Sequence, residues 1–244
     1  MATEEIAMAG DALAAAAAAL GERALGAGPV GAVLAAMSVF ATAIVLAKLV
    51  QLSRAGLGDR QTPRRALELY RAGAVREAYA LVRGRRGPAA EALALAIEAQ
   101  ARGVPDGKIR EECYRVADDR FELLRGWMRP LEVIAGLAPL LGLFGTVLGM
   151  IAAFAELEAA GSRVDPGLLS GGIWEALLTT AAGLAVAMPV VAAVNWFERR
   201  IERAEHAVDN ALAGLFATDF PAERSAGPGQ DAPAGPSLHA AAGE

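Results

Sequence analysis

The stretch Leu131–Arg200 decides the fold, because it contains two long apolar segments separated by a short polar one. The first segment is LEVIAGLAPLLGLFGTVLGMIAAFAEL (Leu131–Leu157) and the second is GGIWEALLTTAAGLAVAMPVVAAVNWF (Gly171–Phe197). Each exceeds the roughly 20 residues that a helix needs to cross a bilayer. Since a bilayer interior admits only backbone that satisfies its own hydrogen bonds, we predict two helices joined as a hairpin.

Small residues recur at steps of three or four along one side of each segment, which places them on one helix face. They are Ala135, Ala138, Gly142, Thr146, Gly149 and Ala153 in the first segment, and Ala176, Thr180, Gly183 and Ala187 in the second. Small side chains let helix backbones approach closely in lipid. We therefore predict that Gly142, Gly145, Gly149 and Gly183 serve helix packing, while Pro139 and Pro189 kink their helices.

Two hydroxyls are predicted to lie at matching depth in the membrane. Thr146 lies about 11 residues before the end of its segment and Thr180 about 10 residues into the next, so at about 1.5 Å per residue both are roughly 15 Å from the same surface. Glu175 lies nearer the loop, and a carboxylate inside a span indicates a functional site. The alternative is that these threonines bond their own backbone and serve packing, and that Glu175 is a buried structural acid.

Two blocks in these segments, APLLGLFGTVLGMI (Ala138–Ile151) and GIWEALLTTAAGLAVAMP (Gly172–Pro189), resemble the ExbB/TolQ/MotA proton-channel family, and most closely its ExbB-like members. The blocks cover about a quarter of the chain. The resemblance implies that Thr146 and Thr180 line a proton pathway, with Glu175 beside it. The family pattern selects Thr180, whereas a helical wheel places Thr179 nearer the face of Glu175 and leaves Thr179 open.

The resemblance also implies partners and a location. Family members assemble as rings, typically homopentamers, around an ExbD-like single-span protein with an intramembrane Asp, and pass work to a TonB-like protein for outer-membrane transport. The expected location is the bacterial inner membrane. A TolQ-like role in envelope maintenance and a non-conducting membrane scaffold remain as alternatives. A MotA-like stator subunit is disfavoured because those proteins have four spans and this sequence predicts three.

Composition agrees with a membrane protein and argues against several other classes. The chain has 244 residues, 55% of them hydrophobic, with a mean hydropathy of +0.35 and a net charge of −5. The negative charge argues against nucleic acid as a partner. Its single cysteine, Cys113, excludes an internal disulfide. We find no nucleophile–base pair, cofactor fingerprint or metal-ligand spacing, so we expect neither an enzyme nor a cofactor.

The charges predict the topology. The section between the first two spans carries sixteen of the chain's 23 Lys and Arg residues, and basic loops face the cytoplasm. These basic residues also suggest contact with anionic phospholipid on that side. We thus predict an all-α membrane protein with three transmembrane helices, long cytoplasmic helical extensions, the N-terminus outside and the C-terminus inside.

The predicted organisation is a periplasmic N-terminal segment at 1–29, transmembrane helices at 30–50, 131–157 and 171–197, a cytoplasmic helical section at 51–130, a periplasmic loop at 158–170, a cytoplasmic helix at 198–220 and a disordered tail at 221–244. Within the helical section we predict short helices at Pro63–Ala72, Val75–Arg83 and Pro88–Arg102. A longer helix is predicted at Lys108–Arg129, continuous with the second span and with Trp127 on its apolar face. The last helix should be amphipathic from Asn195 to about Phe216.

Overall fold

A computed structural model describes residues 28–160 and 166–217. The predicted segment at 1–29 and tail at 221–244 therefore lie almost entirely outside the described residues. These described residues form seven helices: α1 Gly28–Arg54, α2 Gln61–Arg71, α3 Val75–Val82, α4 Pro88–Ala101, α5 Asp106–Arg125, α6 Met128–Ala160 and α7 Pro166–Phe216. No strand occurs in these described ranges, so the all-helical prediction is confirmed.

Three stretches of helix are long and apolar enough to cross a membrane, as predicted: one in α1, one that includes α6, and one in α7. Helices α6 and α7 form the predicted hairpin, and α1 packs against both. Both hairpin helices are longer than expected, since α6 continues to Ala160 and α7 begins at Pro166 rather than at Ser170 or Gly171. Both run through their prolines, Pro139 and Pro189, as unbroken helices.

The second half of α7 leaves the apolar hairpin and packs against α4, with further contacts to α2 and α5. Its predicted apolar face is confirmed. Six residues at helical spacing are at most 5% exposed: Phe197, Ile201, Ala204, Val208, Leu212 and Leu215. This face is covered within the chain. Helix α7 is one helix of 51 residues, and it joins the hairpin to the helical section formed by α2–α5.

The helical section closes on itself through buried apolar side chains and a few polar links. The predicted short helices are present as α2, α3 and α4, within about two residues of the expected bounds. Tyr79 Oη donates to Glu98 Oε2 at 3.0 Å and joins α3 to α4. Cys113 of α5 is 1% exposed and its Sγ lies 3.6 Å from the carbonyl oxygen of Ala92. Burial raises the pKa of the Cys113 thiol to about 11, which keeps it neutral.

The continuous helix predicted from Lys108 into the second span is wrong, because the chain breaks between α5 and α6. Gly126 adopts an extended conformation and Trp127 a left-handed one with φ of 66°. Trp127 is 67% exposed rather than part of an apolar face. The break frees the carbonyl groups at the end of α5, which a continuous helix would have bonded internally.

Lys48 of α1 binds one of these freed carbonyl groups. Its side chain is 2% exposed, and its Nζ donates to the Leu124 carbonyl oxygen at 2.7 Å and to Gln51 Oε1 at 2.8 Å. Gln51 Nε2 in turn donates to the Leu123 carbonyl oxygen at 3.2 Å. Two side chains of α1 thus cap the end of α5 and fix the first helix to the break.

We expect Lys48→Glu to destabilise the fold strongly, by about 3–5 kcal/mol, because it directs a buried carboxylate at carbonyl oxygens. Lys48→Met keeps the length of the side chain but leaves the Leu124 carbonyl without this donor, and should lose about 1–3 kcal/mol. Thermal unfolding in detergent, followed by circular dichroism, measures both. The same two substitutions at Lys108, the other lysine of the chain and an exposed one, are the matched control and should change little. Equal effects at both lysines would contradict the capping role.

Candidate functional site

The two hairpin helices approach most closely where glycine faces glycine. A Cβ atom on Gly183 would lie 2.5 Å from the carbonyl oxygen of Ala138 and 3.1 Å from the Cα of Gly142. A Cβ atom on Gly142 would lie 2.9 Å from the carbonyl oxygen of Thr179. The backbones of α6 and α7 are therefore in direct contact here. Glycine at positions 142 and 183 permits this contact because it has no side chain.

Two neighbouring hydroxyls of α7 are directed at one carbonyl group of α6. Thr180 Oγ1 donates to the Gly142 carbonyl oxygen at 3.2 Å. Thr179 Oγ1 lies 3.3 Å from the same oxygen and 2.7 Å from the carbonyl oxygen of Ala176 in its own helix. Thr179 is only 3% exposed, whereas Thr180 is partly exposed. The structure thus separates the two threonines that the sequence left as alternatives: Thr179 is part of the packed interface, and Thr180 lies at its edge.

Thr146 lies one helical turn beyond Gly142 on α6. Its Oγ1 donates to the carbonyl oxygen of Leu143 at 2.6 Å, and its side chain is partly exposed. The Thr146 and Thr180 hydroxyls each donate to a main-chain oxygen rather than to the other. A hydroxyl has one proton and two lone pairs, so both retain acceptor capacity.

Glu175 lines a groove of about 480 Å³ at the loop end of the hairpin, between α6, α7 and the start of α1. The floor of the groove consists of small residues and Thr179, among them Gly145, Gly149 and Ala176. Glu175 itself is exposed. The structure therefore brings Glu175 and Thr179 to one groove, while Thr146 and Thr180 lie outside its lining.

Sequence reasoning missed a second carboxylate in this groove, that of Glu156. The signal was present, because Gly149, Ala153 and Glu156 continue the small-residue stripe at steps of four and three. In the sequence, Glu156 stands one residue before the end of the first apolar segment, Leu131–Leu157. Its position shows that the stripe changes from packing to polar lining as α6 nears the loop.

The small-residue stripes pack against each other within a single chain. Gly145 lies against the Thr179 side chain and Gly149 against Ala176, with virtual Cβ distances of 2.7 and 3.0 Å. Close helix packing at Gly142, Gly145, Gly149 and Gly183 is thus observed, but its partner is the other arm of the hairpin. These glycines therefore give no independent argument for assembly into a ring.

The described residues of this site do not form a metal-binding set of side chains. Across residues 28–160 and 166–217, no group of three or more His, Cys, Asp or Glu side chains is placed to hold a metal ion. The polar groups of the site are hydroxyls, carbonyl oxygens and carboxylates.

Comparison with known proteins gives the same family as the sequence blocks. The chain is 36% identical over 110 residues to the biopolymer transport protein exbB1 of Vibrio cholerae, which covers 43% of this chain and 48% of that protein. It is 47% identical over 74 residues to a putative biopolymer transport protein, ExbB-like 1, of Synechocystis, covering 30% and 29% of the two chains. It is 39% identical over 82 residues to the Tol-Pal system protein TolQ of Haemophilus influenzae, covering 34% and 36%.

The matched stretch thus spans about half or less of each of these relatives. The family model described as the MotA/TolQ/ExbB proton channel family matches residues 85–210, about half of the chain, including α4, α5, α6 and most of α7. Because this match contains the hairpin together with part of the helical section that packs on it, the chain belongs to the MotA/TolQ/ExbB proton channel family.

Proposed function

We propose that this chain is an ExbB-like subunit of a proton-driven motor in a bacterial inner membrane. In this proposal several copies, five by analogy with the family, surround an ExbD-like single-span protein that supplies an Asp in the membrane. The resulting work acts on a TonB-like protein for outer-membrane transport. The observation that carries the proposal is the family match over a hairpin that presents Thr146, Thr180 and Glu175 on partly open surfaces.

The hydroxyls suit a proton pathway because of how they are bonded. Thr146 and Thr180 each donate their only hydroxyl proton to a main-chain carbonyl. The lone pairs of each hydroxyl oxygen remain available, and they can accept hydrogen bonds from hydronium or from a protonated carboxyl. Thr179 is too deeply buried to contact water in this way, so we assign it to holding α7 against α6. Two acceptors at one depth would guide a proton past the hairpin.

Glu175 suits the entrance to the pathway. It lies about one and a half turns from Thr180 toward the loop end of the hairpin, and it lines the groove there. A carboxylate at that position attracts protons and exchanges them with water. With Glu156, two carboxylates line this groove, but the level of the threonines lacks an acid in the described residues. A partner that supplies an acid at that level completes the route.

Isolation of the full chain from its native membranes in mild detergent, followed by mass spectrometry of its companions, tests the proposal. We expect a small single-span protein with an acidic residue in its span, together with a TonB-like protein. Recovery with a TolA-like protein instead would favour the TolQ-like role, which the relative from Haemophilus influenzae keeps open. A homo-oligomer without either companion would favour a non-conducting scaffold and contradict the proposal.

A further inference from the structure

A cavity of about 1060 Å³ lies where α1, α4 and α5 meet the break before α6, away from the hairpin groove. Its lining includes the end of α1, the start of α4, the last turns of α5 and Trp127. The apolar part of α1 ends at Val50 and that of α6 begins at Leu131. The cavity therefore lies where both helices leave the hydrocarbon, at the level of the lipid headgroups.

Tight backbone contacts build this cavity. Gly56, with φ of +69°, lets the end of α1 touch the carbonyl group of Arg86, and no side chain fits between them. The Lys48 cap holds α1 to the end of α5. Arg120 of α5 binds Glu91 of α4 through two hydrogen bonds, of 3.2 and 3.0 Å. The three walls are thus fixed to one another without any contribution from an occupant.

The lining carries three arginines and three carboxylates, and two of the arginines have no carboxylate partner among the described residues. Arg120 is neutralised by Glu91, and the lining residue Asp119 is bound by Arg115 at 3.0 Å. Two other guanidinium groups line the cavity, those of Arg54 and Arg86, together with the carboxylate of Glu122. Among the described residues neither arginine has a carboxylate within ion-pair distance. Guanidinium groups bind phosphate through paired hydrogen bonds.

Part of the lining of the cavity is apolar and exposed. Leu123 is 65% exposed and Trp127 is 67% exposed, although both sit beside charged residues. Tryptophan is enriched at the membrane interface, where its ring meets the glycerol region and its N–H meets water. A ligand that fits this lining needs a phosphate for the two arginines and a hydrocarbon part for Leu123 and Trp127.

We propose that this cavity binds the headgroup of an anionic phospholipid from the surrounding bilayer, with its phosphate on Arg54 and Arg86 and its glycerol backbone against Trp127. The site holds the lipid at the joint between the hairpin and the helical section. A free phosphate would leave the apolar wall bare, and a second copy of this chain would have to cover two unpaired arginines. The proposal depends on the membrane location of the chain and not on proton conduction.

Quenching of Trp127 fluorescence by brominated lipid tests this site in the full chain. The chain has three tryptophans, so Trp174→Phe and Trp196→Phe leave Trp127 as the reporter. The chain is reconstituted in phosphatidylcholine containing a small fraction of either brominated phosphatidylglycerol or brominated phosphatidylcholine. We expect phosphatidylglycerol to be preferred about tenfold at Trp127, and Arg54→Gln with Arg86→Gln to abolish the preference.

The matched control removes two charges elsewhere, through Arg64→Gln and Arg65→Gln on the exposed face of α2, and should keep the preference. Equal quenching by both lipids, or equal loss of preference in both double variants, would overturn the proposal. Absence of quenching by either lipid would also overturn it, and would indicate that protein covers the cavity. Should the reporter background fail to fold, native mass spectrometry of the otherwise unaltered chain replaces it. Phosphatidylglycerol should then be retained, and be lost only with Arg54→Gln and Arg86→Gln.

Discussion

The double substitution Thr146→Val and Thr180→Val is expected to abolish energised transport while the chain still folds and assembles. Valine matches threonine in shape, and each hydroxyl makes one hydrogen bond to a main-chain oxygen. The loss in folding free energy is therefore small, about 1 kcal/mol for each bond. The loss in function is complete, because the open side of the hairpin no longer offers an acceptor at that depth.

Uptake of a transported substrate by cells that carry only the variant measures the effect, and native electrophoresis confirms that assembly is intact. Serine at both positions keeps the hydroxyls and should keep transport. Thr42→Val is the matched control, since the Thr42 hydroxyl donates to Ser38 within α1 and lies outside the hairpin site. Undiminished uptake by the double valine variant would show that Thr146 and Thr180 serve packing alone.

Gly183→Leu is expected to separate the hairpin helices and prevent recovery of a folded chain. Its Cβ atom would overlap the carbonyl group of Ala138, which is backbone and cannot move aside as a flexible side chain does. Overpacking of a core typically loses 1–3 kcal/mol, and displacement of a whole helix should lose more than about 3 kcal/mol. Size-exclusion chromatography and thermal unfolding in detergent report the outcome.

Gly136→Leu is the matched control for this prediction. Gly136 lies on α6 within the same apolar segment, but a Cβ atom there has no neighbour within 4 Å. The variant gains the same side chain and loses the same helical glycine, and should remain folded. Equal loss of folded protein in both variants would mean that added bulk, rather than the contact between α6 and α7, is responsible.

Periodicity in the sequence predicted the parts of the fold that depend on local pattern. Residues at helical spacing from Phe197 to Leu215 were predicted to form one face, and they are buried together. The small-residue stripes correctly indicated close helix packing. The sequence could not identify the helix against which each stripe packs, because a stripe of small residues indicates only that two backbones lie close together.

Contacts between distant parts of the sequence explain what sequence analysis missed. Lys48 stands two residues before the end of the predicted span at 30–50, yet it is buried against a carbonyl group 76 residues later in the chain. The break at Gly126–Trp127 depends on that partner, because the freed carbonyl groups of α5 need donors from α1. In the candidate site, Thr179 and Thr180 were distinguished only by the position of α6, which sets which hydroxyl is covered.

The two arms of the hairpin differ in mechanical character. The α6 arm meets the helical section through the jointed turn at Gly126–Trp127, whereas α7 passes through as one helix of 51 residues, roughly 75 Å long at about 1.5 Å per residue. A tilt of α7 by one degree about its loop end moves Phe216 by about 1 Å. Its one weak point is Pro189, which has no N–H for the preceding turn. The hairpin is therefore joined to the helical section by one continuous helix, α7, and by one interrupted connection, which Lys48 and Gln51 hold in place.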